Sequence, residues 1–419
     1  VIRELDIKIE GGISLQGEVE VSSSKNAVLP ILAASLLTAD KIIINKIPRI
    51  NDVIIISELL KELGLHINNT DKQEMVISGE AQSVSPPYEL VRKIRASFLL
   101  MGPLIARYGQ AKISLPGGCA IGTRPIDLHL KGFKALGAKI ELHRGDIIAH
   151  VDKRLKGNHI YLDFPSVGAT ENIMMAASLA DGITYIENAA LEPEVVDLAN
   201  FINRMGGKIK GAGTNLVIIE GVKYLRGTDY TTIPDRIEAG TYMLAVAATG
   251  GNVIVKNVVP EHVKAISAKL TESGAEITEG SNSLSITRID TIKPIYIKTL
   301  PYPGFPTDLQ AQFMAYLSHA DGSSIISESV FENRFMHIPE LKRMGAEINI
   351  EGRTAIIKGV DRLSGTKVKA TDLRAGAALI IAALSASGST LISECEHIER
   401  GYENFINKLS ILGASIKKI

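Results

Sequence analysis

Tryptophan is missing from this sequence, and aromatic residues of all kinds make up only 5% of it. Ile, Leu, Val and Ala must therefore fill the core. Cysteine is nearly absent, with Cys119 and Cys395 alone. Two thiols cannot build a disulfide framework or a four-ligand zinc site, and so low a count suits a reducing compartment. Neither sign of charge is in excess: 46 Lys and Arg face 46 Asp and Glu. That balance argues against wholesale attraction to nucleic acid or to an anionic membrane, so an anion site must be a local gathering of cations. Long apolar runs are lacking too. The longest, AGAALIIAAL at Ala375, falls short of the ~20 residues that cross a bilayer. The opening VIRELDIKIEGG lacks the apolar stretch of a secretory signal. The expectation is a cytoplasmic protein with no nucleic-acid or membrane partner. GxxxxGK(S/T), HExxH and CxxC are all missing, and the nine histidines show no ligand spacing, so neither a metal nor a cofactor is expected.

What is present is a sixfold repeat. KELGLHI, KALGAKI, NRMGGKI, TESGAEI, KRMGAEI and SILGASI place glycines at 64, 137, 206, 274, 345 and 413, spaced by 73, 69, 68, 71 and 68. Each glycine sits where a helix ends in a left-handed residue, and the residues after it alternate as a half-buried strand does. Earlier in every unit lies a more uniformly apolar segment: NAVLPILAASLL, RASFLLMGPLIA, ENIMMAASLA, AGTYMLAVAA, LQAQFMAYLS and RAGAALIIAAL. A helix apolar on all sides is a buried helix. With 419 residues, six units of about seventy predict two domains of three, breaking in RGTDYTTIP near Thr228–Pro234. On pattern alone, the strand region Ile7–Val21 can join either half.

Charge recurs at two places in the unit. Buried helices begin with Lys25-Asn26, Arg95, Thr170-Glu171-Asn172, Asp235-Arg236, Asp308, and Asp372 with Arg374. The turn before an amphipathic helix carries Asp52, Arg124, Arg334 or Arg400. A helix start exposes unpaired N–H groups and disfavours a nearby cation by about 0.3–1 kcal/mol. One such cation is ordinary surface. Lys25, Arg95 and Arg374 repeat the misplacement, which predicts a multiply charged anion where these starts converge, in a cleft between the domains. PGGCAIGTRP, residues 116–125, lies in the repeat with the longest spacing and reads as a mobile lid that brings a thiol to that anion. Asp308, in YPGFPTDLQAQ, is the base candidate, with a plain helix cap as the structural alternative. Cys395 reads as a small apolar filler. His129 and His262 read as surface residues on composition alone.

The segments SKNAVLPILAASLL, IRASFLLMGPLIARYG, LPGGCAIGTRPIDLHLKGFKALGAKI, FPSVGATENIMMAA, YPGFPTDLQAQ, FENRFMHIPELKRMGAEI, TDLRAGAALIIAAL and IERGYENF resemble the enolpyruvyl transferases that act on UDP-N-acetylglucosamine. The resemblance runs end to end. The cysteine loop is its most specific part, since the sibling EPSP synthases lack it. It implies an α/β fold: a two-domain inside-out α/β barrel of six βαβαββ-type repeats, three per domain. Residues 22–230 would form the first domain and 1–21 plus 231–419 the second, with the active site in the cleft between them. It implies transfer of enolpyruvyl from phosphoenolpyruvate to the 3′-hydroxyl of UDP-N-acetylglucosamine. Phosphate is released through a tetrahedral intermediate, in the first committed step of peptidoglycan synthesis.

Residue by residue, Cys119 matches the acid that protonates C3 of phosphoenolpyruvate and the thiol that fosfomycin alkylates. Lys25, Arg124 and Arg400 match cations on the phosphate and carboxylate, with Arg334 and Arg374 in support. Asp308 matches the aspartate at the sugar 3′-hydroxyl. Asn26, Arg95, Arg124, Pro125, Ile126, Asp127, Leu128, His129, Ser166, Val167, Gly168 and Val330 match sugar-nucleotide contacts, and Asp372 matches a further site residue. Ser23 stands where the family usually has glycine, and Phe164-Pro165 where some members carry lysine. A catalytically silent sugar-nucleotide-binding paralogue is the alternative of a different class.

Overall fold

The computed structural model describes residues 6–70, 73–115, 126–288 and 291–419. Among these, 6–22 and 234–419 form one compact unit, and 23–115 and 126–233 another. The architecture is mixed α/β, with six repeats, three to a unit, each pairing two helices with a small sheet.

In the 234–419 unit, the helices Arg236–Thr249, Gln310–Leu317 and Leu373–Ser385 all touch one another. They are buried on nearly every face, as their all-round apolar sequences require. Three open four-stranded sheets accompany them. Helices inside and sheets outside reverse the usual order of an α/β barrel. The chain's first strands close this unit. Leu15–Glu20 lies parallel to Gly251–Lys256, and Ile7–Glu10 lies antiparallel to both Ser389–Ser393 and Ser415–Lys418. The alternation that buries Ile7 and Ile9 fits one face of that sheet. The later half thus takes the strand region that the pattern left open.

In the 23–233 unit the corresponding helices are Lys25–Ala34, Met101–Tyr108 and Val167–Ala177, and the third touches both others. Two of its sheets have four strands. The other has three, in the order Gln110–Ser114, Asp146–His150, Lys139–His143. The place of a fourth strand falls to QSVSPP. It gives one hydrogen bond, Lys112 N–H to the Val84 carbonyl, before two prolines that have no N–H to continue a ladder.

The six closing glycines all adopt positive φ: 112° at Gly64, 95° at Gly137, 97° at Gly206, 107° at Gly274, 95° at Gly345 and 95° at Gly413. A side chain there would be strained, which explains why the sequence repeats glycine at this point. Each follows an amphipathic helix. In Pro193–Arg204, for example, Val195, Leu198, Ala199 and Ile202 keep helical spacing on the buried face, and Pro193 opens the first turn. No helix among the described residues is long and apolar enough to cross a membrane.

Candidate active site

The candidate residues fall into two groups, one in each unit. Cys119, Arg124 and Pro125 lie outside the described residues.

In the 234–419 unit, Asp308 sits in the short turn Thr307–Leu309 that leads into the Gln310–Leu317 helix, and it caps neither element. Its carboxylate is gripped instead. Arg334 Nη2 donates to one oxygen and Arg374 Nη2 to the other, each at 2.8 Å. Both arginine side chains are almost fully buried, 4% and 8% exposed, while Asp308 keeps 26%. Capping falls to Asp372, which accepts from the Arg374 and Ala375 N–H groups at 2.8 and 3.0 Å and so opens the helix that carries Arg374.

Arg374 is oriented further by Tyr402. Nη1 donates to the tyrosine hydroxyl at 3.0 Å, and that hydroxyl also meets Thr241 at 3.0 Å and Gln312 at 3.3 Å. Burial works against the guanidinium charge, but Asp308 and Tyr402 outweigh it and hold the pKa of Arg374 above its ordinary value. Arg334 keeps a buried Nη1 without a partner among the described residues. Val330 is held by Glu328, whose Oε1 accepts from the Val330 and Phe331 N–H groups at 2.8 and 3.1 Å and from Thr299 at 2.8 Å. Glu328 Oε2 accepts from Thr307 at 2.8 Å, beside Asp308. Arg400 ends the turn Cys395–Arg400, two residues before Tyr402.

Four donors thus converge on Glu328. Glu328→Gln removes the charge and leaves one oxygen for the Val330, Phe331 and Thr299 donors, while its NH2 faces the Thr307 hydroxyl, which must turn from donor to acceptor. The expected cost is about 1–3 kcal/mol in urea unfolding. Unfolding equal to wild type would show that the Val330 segment does not depend on this carboxylate.

His337 lies behind Arg334, 2% exposed. Its ring bonds to the Arg334 backbone, and Nε2 has no partner among the described residues. Burial brings its pKa down to about 4, with Arg334 adding to that pull and Asp372 opposing it. The unfolded ring takes a proton near pH 6.5 and the folded ring only near 4, so acid favours the unfolded chain. About 3 kcal/mol of stability, intact above pH 6.5, is expected to disappear as pH falls to 4. His337→Gln removes that slope from unfolding curves taken across the range. An unchanged slope would assign the acid sensitivity to other groups.

In the 23–233 unit, Lys25 and Asn26 begin the Lys25–Ala34 helix, and Lys25 Nζ lies 2.7 Å from the buried carboxylate of Asp52. The misplaced cation is therefore compensated from the next helix, Asn51–Glu62. Arg95 starts the turn Arg95–Leu100 and acts on the charge state of His129. His129 is half-buried, not a surface residue. Asn172 ties it in, with Oδ1 accepting from Gly102 N–H at 2.8 Å and Nδ2 facing the Phe98 carbonyl at 2.9 Å and His129 Nδ1 at 3.1 Å. An amide that donates to Nδ1 selects the neutral tautomer with hydrogen on Nε2. Burial, then the charge of Arg95, lowers the pKa of His129 and keeps the ring neutral.

Gly168 leaves room for this ring, since a Cβ there would stand 3.2 Å from His129 Cε1. Ser166 caps the Val167–Ala177 helix, its hydroxyl accepting from Ala169 at 3.3 Å. Ile126 and Leu128 pack on the core of this unit, and Asp127 is exposed at the start of its helix. Glu171, one residue before Asn172, is buried, and burial with Glu194 and Glu192 beside it raises its pKa well above the ordinary carboxylate range. The other cysteine, Cys395, is fully buried in the 234–419 unit, where burial pushes its thiol up to about 12.

Sequence reasoning missed Tyr402, Glu328 and His337. Tyr402 had a signal, as a tyrosine in IERGYENF in a chain poor in aromatics. Glu328 had one too, since Glu394 stands at the corresponding place just past the strand Ser389–Ser393. Nothing marked His337.

Six strand-and-helix units in two sets of three are the architecture of the carboxyvinyl transferases. The EPSP synthase family, described as 3-phosphoshikimate 1-carboxyvinyltransferase, matches residues 9–409, and the chain belongs to it. Its fold is similar to that of the enolpyruvyl transferase NikO from Streptomyces tendae, with a TM-score of 0.88, 24% identity and 99% of each chain covered. In sequence, the chain is 58% identical to UDP-N-acetylglucosamine 1-carboxyvinyltransferase 1 of Caldanaerobacter subterraneus subsp. tengcongensis, across 97% of this chain and 98% of that one. It is also 58% identical to UDP-N-acetylglucosamine 1-carboxyvinyltransferase 2 of Carboxydothermus hydrogenoformans, across 98% of both.

Proposed function

We propose that this chain moves the enolpyruvyl group of phosphoenolpyruvate onto the 3′-hydroxyl of UDP-N-acetylglucosamine and releases phosphate. This is the first committed step of peptidoglycan synthesis, placed in the cytoplasm. The observation that carries the reading is an identity of 52–58% over at least 97% of the chain with relatives named for this transfer.

Lys25, Arg124 and Arg400 hold the phosphate and carboxylate of phosphoenolpyruvate. Guanidinium and ammonium groups suit a small polyanion because their bonds to it are charge-assisted. The thiol of Cys119 gives its proton to C3, and the sugar 3′-oxygen attacks C2. Asp308 takes the proton of the 3′-hydroxyl as that bond forms. Arg334 and Arg374, each donating to one of its oxygens, hold the carboxylate in place. A tetrahedral adduct forms. The Cys119 thiolate then takes a proton back from C3, the C2–O bond breaks, and phosphate leaves with its electron pair and the proton held by Asp308, which releases the product. Neutral His129 offers its Nε2 hydrogen, and Asn26, Arg95, Ser166, Val167, Gly168 and Val330 hold the sugar nucleotide. Fosfomycin, an epoxide, alkylates Cys119.

A coupled phosphate-release assay with both substrates tests the proposal. Release that needs both is expected. Binding of the sugar nucleotide without release would instead identify a silent paralogue.

A further inference from the structure

Away from these residues, the 23–233 unit holds a surface cavity of about 550 Å³. Arg107, His150, Lys153, Arg154 and Lys223 line it, together with Tyr108, and among the described residues no carboxylate does. The two arginines are built in. Arg107 Nη1 donates to the Leu36 carbonyl at 3.0 Å, and Arg154 Nη2 donates to the Val222 carbonyl. Each also has one carboxylate partner, Glu80 at 3.0 Å and Asp181 at 2.6 Å, and neither acid lines the cavity. These bonds explain why the fold wants both arginines, because carbonyls at the ends of elements need donors.

No such explanation covers the lysines. Lys153 and Lys223 are exposed, and among the described residues neither forms an ion pair or hydrogen bond. Asp152, the partner of His150, is shared with Lys139. With those pairs set aside, two uncompensated positive charges remain beside two fixed guanidiniums. Like charges gathered around one concavity repel, which a bound anion relieves. A cavity of this size lies within the range that holds small molecules, not a protein surface.

We propose that this cavity is a second anion site, separate from the transferase residues, that takes a small di- or polyphosphate. The guanidiniums give oriented donors to phosphate oxygens, and the two ammonium groups supply the charge that a monoanion would leave unneutralised.

The test is isothermal titration of the full chain with inorganic pyrophosphate. Three proteins are compared: wild type, Arg400→Ala, and the double variant Lys153→Glu with Lys223→Glu. Arg400→Ala weakens the proposed phosphoenolpyruvate site and is expected to leave one saturable pyrophosphate site. The double variant is expected to weaken that site at least tenfold while phosphate release with the two substrates stays at the wild-type rate. Lys153→Ala with Lys223→Ala gives the same loss in smaller measure and decides the matter if the charge reversal disturbs folding. Pyrophosphate that binds the double variant as tightly as wild type, or that saturates no site in Arg400→Ala, overturns the proposal.

Discussion

Cys119→Ala should lower phosphate release from phosphoenolpyruvate and UDP-N-acetylglucosamine by about a hundred- to ten-thousand-fold, the span that a positioned general acid supplies. Carbon is a slow proton acceptor, and alanine has no proton to give. Binding of the sugar nucleotide alone should change little, because Cys119 itself is not among its proposed contacts and the substitution leaves Arg124 and the other contact residues in place. Cys119→Asp separates the two properties of the thiol. A carboxylic acid can protonate C3, so part of the turnover should return. It should resist alkylation by fosfomycin, seen by intact mass as the missing adduct. Wild-type turnover in Cys119→Ala would end the acid assignment. Turnover lost in step with nucleotide binding would make the loop a binding element only.

Asp308→Ala carries the second large effect, on stability and on rate together. It strips two buried arginines of the carboxylate they share, with Arg334 and Arg374 contacts of 2.8 Å lost at once. Breaking a buried pair by removing one partner costs about 3–5 kcal/mol. The lower end is expected, since Asp308 is partly exposed and Arg374 retains Tyr402. Asp308→Asn keeps one acceptor oxygen and should recover part of the stability. It should not recover turnover, because a neutral amide neither takes the hydroxyl proton nor balances two guanidiniums. Urea unfolding and phosphate release on both variants read the two effects apart. Stability equal to wild type in Asp308→Ala would mean that the arginines are neutralised by other groups. Equal losses of turnover and of nucleotide affinity would leave Asp308 a positioning residue.

These two variants sit at opposite ends of what a linear reading reveals. The cysteine loop stands out along the chain, by its glycines and by the rarity of its thiol. Asp308 stands out less, and its likeness to a helix cap competed with its likeness to a base. No side chain caps the helix after Asp308, which instead faces arginines 26 and 66 residues further along. His129 followed the same course, from an ordinary histidine to a neutral ring set by Asn172 and Arg95.

By itself the sequence determined the sixfold repeat, the buried and amphipathic helices and the six helix-closing glycines. Those features are local. A positive φ at Gly64 or Gly413, or an apolar face at helical spacing, is decided by a residue and its near neighbours. Only the tertiary structure decided that Ile7–Glu10 pairs with strands almost 400 residues away, that Arg334 and Arg374 share one carboxylate, and that Tyr402 and Glu328 hold the parts in place. Charge pairing and strand pairing depend on distance through space, and the repeat pattern leaves that distance open until the helices pack.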